Sequence, residues 1–259
     1  DLKIAAVYGD DILNQVDSLI ASGHEMKNME TSEPLSKVRK SISSANIYFG
    51  ARPVVEALNQ GAQIIVTGRV TDTGISLAPM IYEFGWKWDD WDKLAAGVVG
   101  GHINECGAQA SGGNFFKGWK DVPNMERIGF PIVEAYPDGS LIITKHESLG
   151  GLVCEASVKE QLVYELGDPK DYITPDVVAD FTSIKLEQIA ENRVRVYDIK
   201  GTPDTEFYKV SISYFDGYTC IGQLTYSWPD ALEKAQKADD IIRKRIEYLG
   251  LQFDEIHTE

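Results

Sequence analysis

The sequence predicts an α/β fold, with an N-terminal part that holds a mainly parallel sheet flanked by helices, followed by an α+β part with antiparallel hairpins. In the first part, short apolar runs alternate with segments of helical periodicity, as in layered α/β proteins. After about residue 125, Asp-Gly turns separate strand-like runs instead. The 259 residues, 43% of them hydrophobic, are enough for one or two cores. We therefore expect an α/β domain at residues 1–120 and an α+β domain at residues 121–259.

The N-terminal part is predicted to alternate strand and helix along the chain. Its elements are a strand at 4–8, a helix at 12–21, a strand or following loop at 45–50, a helix at 53–58, a strand at 63–67, and helices at 75–82 and 91–109. Pro53 suits the first turn of its helix, and Gly61 is placed to end it. The 63–67 run is apolar and β-branched, which is typical of a strand buried in a parallel sheet.

The C-terminal part is predicted to contain hairpins and two helices. Its elements are a hairpin of 132–136 with 141–145, a helix at 158–165, strands at 177–186 and 193–198, a hairpin of 208–214 with 219–226, and a helix at 231–249. Asp138-Gly139 is a strong signal for the first hairpin turn, and Asp216-Gly217 repeats it in the second.

The chain is strongly acidic, with 40 acidic against 25 basic residues and a net charge of −15. Such a field repels nucleic acids and anionic lipid surfaces, so neither is an expected partner. Three widely spaced cysteines fit a reducing compartment better than a disulfide framework. Because no apolar run is long enough to cross a bilayer, we expect a cytoplasmic protein. The chain begins at Asp1 rather than Met and enters a strand almost at once, which predicts that its beginning is missing.

The first candidate site is the turn after the 63–67 strand, because ligands of parallel sheets gather where the strands end. The turn contains four candidate residues: Gly68, Arg69, Thr71 and Asp72. Gly68 allows close backbone approach, and the next helix offers free N–H groups to an anion. Arg69 can hold a carboxylate or phosphate through paired hydrogen bonds, or can form a salt bridge within the loop. Asp72 can act as a base, a metal ligand or only a helix cap. The glycine pattern of dinucleotide-binding proteins is absent.

The second candidate site is the glycine-rich stretch 100–114, which is expected to face a ligand together with the first. In a helix, His102, Glu105 and Cys106 share one face. His102 and Glu105 can form an acid–base pair, or Cys106 can act as a nucleophile beside His102. The three can also bind a metal, although this ligand set is unusual. The alternative is that His102 satisfies backbone groups and Cys106 is a small core residue.

The remaining substrate-binding candidates are Asn46, Gly112, Gly113, Asn114 and Lys145. The glycine loop is rich in backbone N–H groups and can bind an oxyanion, although a plain loop after a helix uses the same residues. Lys145 ends a hairpin strand, where it can reach an acidic substrate or only face solvent. Asn46 lies in the 45–50 segment. The tryptophans of the 86–91 segment predict either a packed connection or the interface of a homo-oligomer.

Five runs of the sequence occur in an order that resembles one protein family. They are 67–72 (TGRVTD), 83–86 (EFGW), 101–109 (GHINECGAQ), 111–114 (SGGN) and 175–181 (PDVVADF). Over nearly the whole chain they resemble the acyclic terpene utilisation family, formerly a domain of unknown function. The resemblance implies a bacterial-type cytoplasmic protein associated with the breakdown of branched acyclic terpenoids through acyl-CoA intermediates. It supplies neither an established set of catalytic residues nor a cofactor.

The residues and the resemblance together predict an enzyme of acyclic terpenoid or branched-acid catabolism, acting on a small acidic or acyl-CoA substrate. Lyase or hydratase chemistry would use His102 with Glu105 or Asp72 to move a proton, while Arg69 holds the substrate. The expected result is that His102→Ala abolishes turnover and leaves thermal stability nearly unchanged. The alternatives are a non-catalytic metabolite-binding or scaffold protein of the same pathway, and a metal hydrolase.

Overall fold

A computed structural model describes all residues of the chain, 1–259, and it divides into two units, Asp1–Phe215 and Asp216–Glu259. The domain boundary expected near residue 120 lies inside the first unit. The larger of its two hydrophobic cores includes residues from both sides of that position, from Ala51 to Ile199. The reason is that the helix before the boundary packs against strands that follow it.

Helices and strands of the first unit follow most of the predicted segments. Its helices are α1 (Val16–Ala21), α2 (Arg52–Asn59), α3 (Gly74–Phe84), α4 (Trp91–Glu105) and α5 (Glu155–Leu162). Its strands are β1 (Ile4–Val7), β2 (Ile42–Ile47), β3 (Ile64–Thr67), β4 (Pro131–Ala135), β5 (Leu141–Lys145), β6 (Tyr172–Ile173), β7 (Val178–Asp180), β8 (Lys185–Ala190), β9 (Arg193–Tyr197), β10 (Lys200–Thr202) and β11 (Val210–Tyr214). Local signals set several ends: α3 stops where Gly85 takes a left-handed conformation with φ of 62°.

Parallel pairing is limited to two strands, so the fold is mixed α and β with small sheets of both kinds. β1 pairs with β3, with Ile4 opposite Ile64, and two isolated parallel bridges join Phe49 to Val70 and Ile128 to Gly150. β2 pairs antiparallel with β11 instead of extending this sheet. The mainly parallel sheet that the sequence predicts is therefore not formed in the first unit.

One face of the β1–β3 pair carries apolar side chains that are open to solvent. Ile4 is 67% exposed, Ile64 42% and Val66 60%. The sequence predicts a strand at 63–67 that is buried on both faces, but β3 alternates between exposed and half-buried positions. A sheet is buried only where other elements pack on its faces, and one face of this two-stranded pair is open to solvent.

The other sheets are antiparallel. One has the order β4-β5-β9-β8 and another the order β10-β7-β6. The first contains the predicted hairpin at Asp138-Gly139. The predicted 177–186 strand is divided into β7 and β8 by the turn at 181–184. The predicted hairpin of 208–214 with 219–226 is wrong, because β11 pairs with β2 and residues 219–226 form no strand.

Glycines of α4 serve close packing against α3. A Cβ atom on Gly97 would lie 2.3 Å from Leu77 Cδ1, and one on Gly101 would lie 2.7 Å from Thr73 Cα. Such distances exclude a larger side chain unless the helices separate. Gly101, at the start of the 100–114 stretch, is therefore required for the packing of the two helices and does not face a ligand as predicted.

The tryptophan-rich segment packs within the chain. Trp86 is 5% exposed, and its indole N–H donates to the Pro137 carbonyl at 3.0 Å. The Arg52 guanidinium lies 4.2 Å from the centre of the Trp88 ring. For these two tryptophans the structure agrees with a packed connection, the first of the two predicted alternatives.

The second unit contains one helix, α6 (Ala231–Tyr248), close to the predicted 231–249. Two ion pairs between residues one helical turn apart stabilise this helix: Arg243 with Asp239 and Lys244 with Asp240. None of the α6 residues is buried. In neither unit is there a helix with both the length and the apolar composition that crossing a membrane requires.

Candidate functional site

Side chains from the ends of several strands meet in the first unit, and we call this group the strand-end cluster: Asp10, Asn46, Tyr48, Arg69 and Lys209. Asp10 follows β1, Arg69 follows β3, and the parallel pairing brings these two strand ends together. Asn46 and Tyr48 belong to the end of β2, and Lys209 directly precedes β11. The Tyr48 N–H donates to the Lys209 carbonyl at 3.0 Å, which joins the last two segments.

Asp10 is the buried centre of the strand-end cluster. Its carboxylate accepts the Arg69 backbone N–H at 2.8 Å and the Asn46 side-chain amide at 2.9 Å. The Arg69 N–H lowers the pKa of the Asp10 carboxyl, and this effect together with the Asn46 amide outweighs burial, which raises it. The ionised carboxylate therefore fixes the backbone of the turn that carries Arg69.

Two cations of the strand-end cluster lie beside one aromatic ring. The Arg69 guanidinium carbon is 5.1 Å from the centre of the Tyr48 ring, and the Lys209 ammonium nitrogen is 5.3 Å from it. Both residues are exposed. Neither belongs to any of the ion pairs of this acidic chain. The salt bridge within the loop that was the alternative for Arg69 is thus not formed.

The other residues of the turn have different surroundings. A Cβ atom on Gly68 would lie 1.9 Å from Asp10 Oδ1, so glycine is required there by the carboxylate. The Thr71 hydroxyl is buried without a hydrogen-bond partner. Asp72 is exposed, and α3 has no side-chain hydrogen bond at its N-terminus, so the capping alternative for Asp72 is wrong.

The four predicted catalytic residues each interact with one side chain that the sequence reasoning missed. We call the group the Tyr172 cluster: Asp72, His102, Glu105, Cys106 and Tyr172. Burial raises the pKa of Tyr172 to about 12, and electrostatic interactions with Glu105, Asp72 and Cys106 raise it further. The His102 ring centre lies 5.6 Å from that of Tyr172. The Tyr172 hydroxyl therefore keeps its hydrogen at neutral pH and can donate it.

His102 is an interior residue, 1% exposed. Its Nε2 donates to the Gln161 carbonyl at 3.1 Å, and the Gln161 amide donates to the His102 carbonyl at 2.8 Å. The Phe181 ring packs against it edge to face at 5.4 Å. These contacts join α4 to α5, as the backbone-satisfying alternative for His102 predicts.

The second nitrogen of His102 contacts the predicted acid partner. Nδ1 lies 2.8 Å from Glu105 Oε1, but the carboxylate lies outside the direction of a ring N–H, so this is a close polar contact without hydrogen-bond geometry. Since Nε2 holds its hydrogen toward a carbonyl, Nδ1 carries one only when the ring is protonated. Glu105, whose side chain is 19% exposed, is the member of this pair that reaches solvent.

A metal site is not formed by these residues. No group of three or more His, Cys, Asp or Glu side chains has a suitable arrangement. The set of His102, Glu105 and Asp72 that a metal hydrolase would use therefore lacks the geometry for metal binding.

The polar groups of the glycine loop and of Lys145 form hydrogen bonds with other groups of the protein. The Gly112 and Gly113 N–H groups donate to the carbonyls of Gln109 and Ala108 at 3.0 and 2.8 Å. The Asn114 amide donates to the Gln109 side chain at 3.1 Å. Lys145 is 8% exposed and donates to the Leu149 carbonyl at 2.7 Å, so it does not face solvent. None of these hydrogen bonds is made to a member of either cluster.

Sequence reasoning missed four residues of the two clusters: Asp10, Tyr48, Lys209 and Tyr172. Asp10 carried a usable signal, because it directly follows a strand predicted to be parallel. Tyr48 and Lys209 meet only through the antiparallel pairing of β2 with β11, which no local pattern indicates.

Comparison with known proteins agrees with the resemblance seen in the sequence. The family described as "Acyclic terpene utilisation family protein AtuA" matches residues 1–259 and so includes both clusters. Searches of curated proteins and of solved structures found no significant match. Because the match covers the whole chain, this protein belongs to the acyclic terpene utilisation family.

Proposed function

We propose that this protein is an enzyme of acyclic terpenoid or branched-acid catabolism that binds a small acidic or acyl-CoA substrate at the strand-end cluster. The observation that carries the proposal is the pair of exposed cations, Arg69 and Lys209, at 5.1 and 5.3 Å from the centre of the Tyr48 ring. Neither forms a salt bridge in a chain with a net charge of −15, although the Arg69 charge also acts on the Asp10 carboxylate. Cations without salt bridges at strand ends favour binding of a carboxylate or phosphate.

The arrangement favours an anion for a further reason. The Arg69 backbone is held by Asp10, so the guanidinium starts from a fixed point and loses less entropy when a ligand binds. Tyr48 supports both cations from one side, which leaves their hydrogen-bond donors free for a ligand. Gly68, Thr71 and Asn46, the other predicted binding residues of this region, adjoin the same loop.

We place the proton transfer of a lyase or hydratase reaction at the Tyr172 cluster. Asp72 links the two clusters, because it lies three residues after Arg69 in the chain and its charge acts on Tyr172. Glu105 or Asp72 would accept the proton, and Tyr172 would donate a hydrogen bond to developing negative charge. His102 would hold α4, which carries Glu105, against α5 through Gln161, and would not itself contact the substrate.

The experiment measures the binding and turnover of 3-methylbutanoate and of its CoA thioester. Titration calorimetry on wild type should show binding, and Arg69→Ala and Lys209→Ala should each weaken it by about tenfold. The matched control is Arg127→Ala, which removes an exposed arginine outside the cluster. Equal affinity in all four proteins would refute the binding site, and mass spectrometry of the incubated thioester tests for a product.

A non-catalytic metabolite-binding protein of the same pathway is the second candidate. It is favoured by the burial of His102, whose ring is enclosed by Gln161, Phe181 and Tyr172. Binding that depends on Arg69, without any product at long incubation, would decide for this candidate.

A further inference from the structure

Helix α6 has one apolar face that is open to solvent. Ala235, Ile242 and Leu249, the last of which directly follows the helix, are spaced by seven residues, which is almost two helical turns, so they form one row. Ile241 and Tyr248 form a second row beside the first. Ile242 is 44% exposed, Leu249 60% and Tyr248 84%. Because an apolar helix face normally packs against another element, α6 presents a surface for a partner.

The charge of α6 differs from that of the whole chain. The helix contains five basic and four acidic residues, so its net charge is +1, against −15 for the chain. On the side opposite the apolar face, Asp240 pairs with both Lys237 and Lys244. Helix α6 therefore does not add to the repulsion between two copies of this acidic chain.

The apolar face of α6 changes in side-chain size along the helix. Its first half carries only small residues, Ala231, Ala235 and Ala238, and large side chains follow at Ile242 and Leu249. If two copies of α6 pack antiparallel, the large half of each lies against the small half of the other. This arrangement fills the space between two helices whose axes are about 8–10 Å apart.

A parallel arrangement of two α6 helices is disfavoured by the same residues. It would place alanine against alanine in the first half, which leaves gaps between the helices. It would also bring the two copies of Arg245 together, because Arg245 lies between the two apolar rows. Antiparallel packing avoids both problems and places the positive end of each helix dipole beside the negative end of the other.

The second unit exposes enough apolar surface for a stable interface. Thirteen large apolar side chains between Tyr218 and Ile256 are exposed, and Trp228, three residues before α6, is 88% exposed. A fully covered aromatic side chain buries about 150–250 Å². A stable dimer buries about 800 Å² on each partner, which a few of these side chains together with the apolar face of α6 supply.

We infer that α6 is a dimerisation helix, which packs antiparallel against α6 of a second copy of this chain. Ala231 of one copy then lies near Leu249 of the other. The inference goes beyond the proposed function, because no member of the strand-end cluster or of the Tyr172 cluster belongs to the second unit. It also assigns the interface to a different segment from the tryptophans of 86–91, two of which pack within the chain.

Sedimentation equilibrium of the full chain measures the oligomeric state. We expect the wild type to have the mass of two chains at micromolar concentration. Ile242→Asp places a charge in the apolar face and should weaken dimerisation by about tenfold or more. The matched control is Ile189→Asp on β8, because Ile189 is 43% exposed and receives the same substitution. This control should remain a dimer, with an affinity within about twofold of wild type.

Disulfide crosslinking tests the orientation of the two helices without disturbing the centre of the contact. The variants Ala231→Cys and Leu249→Cys are each prepared together with Cys220→Ser, which removes the exposed native cysteine. After oxidation, a mixture of the two variants should form a disulfide between positions 231 and 249, identified by mass spectrometry of the digested protein. Neither variant alone should form a disulfide at its own position, because an antiparallel pair keeps identical ends apart by about the length of the helix.

Three outcomes would overturn the inference. The first is a wild type that sediments as a single chain, and the second is an equal affinity for Ile242→Asp and Ile189→Asp. The third is a disulfide between two copies of position 231, which requires parallel helices. Ile64→Asp, at a residue that is 42% exposed on the β1–β3 face, provides a further comparison. If this variant dissociates the dimer and Ile242→Asp does not, the copies meet through that face and the inference is wrong.

Discussion

The Asp176 carboxylate accepts the backbone N–H of Ala51 with both oxygens, each at 2.9 Å, although 125 residues separate them in the chain. Ala51 directly precedes α2, so the carboxylate occupies the positive end of that helix. Burial raises the pKa of Asp176 to about 6, even though the Ala51 N–H acts in the opposite direction. The 175–181 run therefore holds α2 in place through a carboxyl group that titrates near neutral pH.

Asp176 gives the stability of the protein a specific pH dependence. Its folded pKa of about 6 exceeds the ordinary value of 3.8, so the folded state binds more protons than the unfolded state between these values. The contribution of Asp176 to stability is therefore greatest below pH 4, falls as the pH rises to about 6 and stays constant above it. The total change is on the order of 3 kcal/mol.

Urea denaturation between pH 4 and pH 7 checks this dependence. The difference in free energy of unfolding between wild type and Asp176→Asn should shrink with rising pH across that window. Asp121→Asn, an exposed carboxylate, should follow wild type throughout. A constant difference between wild type and Asp176→Asn would show that the folded pKa is not raised.

Replacement of His102 is expected to destabilise the fold. The ring is 1% exposed and joins α4 to α5 through Gln161, so His102→Ala leaves a cavity and an unpaired carbonyl. We expect the free energy of unfolding to fall by about 2–4 kcal/mol. This corrects the expectation from sequence that the variant keeps nearly full thermal stability. His24→Ala, at an exposed position, is the control, and equal melting temperatures for the two variants would contradict the structural role.

Gly101→Ala is expected to weaken the contact between α3 and α4. The added Cβ atom would lie 2.7 Å from Thr73 Cα and 2.9 Å from the Thr73 carbonyl oxygen, both backbone atoms that cannot rotate away. We expect a loss of about 1–3 kcal/mol in chemical denaturation. Gly167→Ala meets no atom within 4 Å and should be nearly neutral. Equal stability of the two variants would mean that the helices separate without cost.

Asp10→Asn is expected to disturb the Arg69 turn. The substitution removes the charge that accepts the Arg69 N–H and places two amides against each other at Asn46. We expect a loss of about 1–3 kcal/mol in stability, together with weaker binding of 3-methylbutanoate. Because the folded pKa of Asp10 is lowered, its contribution is present above pH 3.8 and is lost as the pH falls through the folded value. Asp89→Asn, at an exposed position, should bind like wild type.

Sequence reasoning recovered what local chemistry determines. The alternation at 131–145 with its Asp-Gly turn identified one hairpin, and Gly61, with a φ of 79°, follows the end of α2 as predicted. The same turn signal at Asp216-Gly217 failed, because the partner of β11 is β2, far away in the chain. A turn pattern specifies that the chain can reverse, and it does not specify which strand offers the better partner.

In the candidate site, too, local patterns predicted some features and tertiary packing determined the others. Arg69 followed from the rule that ligands gather at strand ends, and the helical spacing of His102 with Glu105 is correct. The burial of His102 depends on Gln161, Tyr172 and Phe181, which come from later segments. Helical periodicity predicts which residues share a face of a helix, but only the tertiary packing decides whether that face is exposed to solvent or buried.

The open apolar face of the β1–β3 pair has a practical consequence for handling the purified chain. The exposed apolar surface of Ile4, Ile64 and Val66 lies next to unpaired strand edges, and both features promote self-association. The net charge of −15 opposes this through repulsion between molecules, and dissolved salt screens that repulsion within about 8 Å at physiological ionic strength. Dilute, low-salt buffers should therefore keep the chain dispersed, whereas concentrated salt during purification should precipitate it.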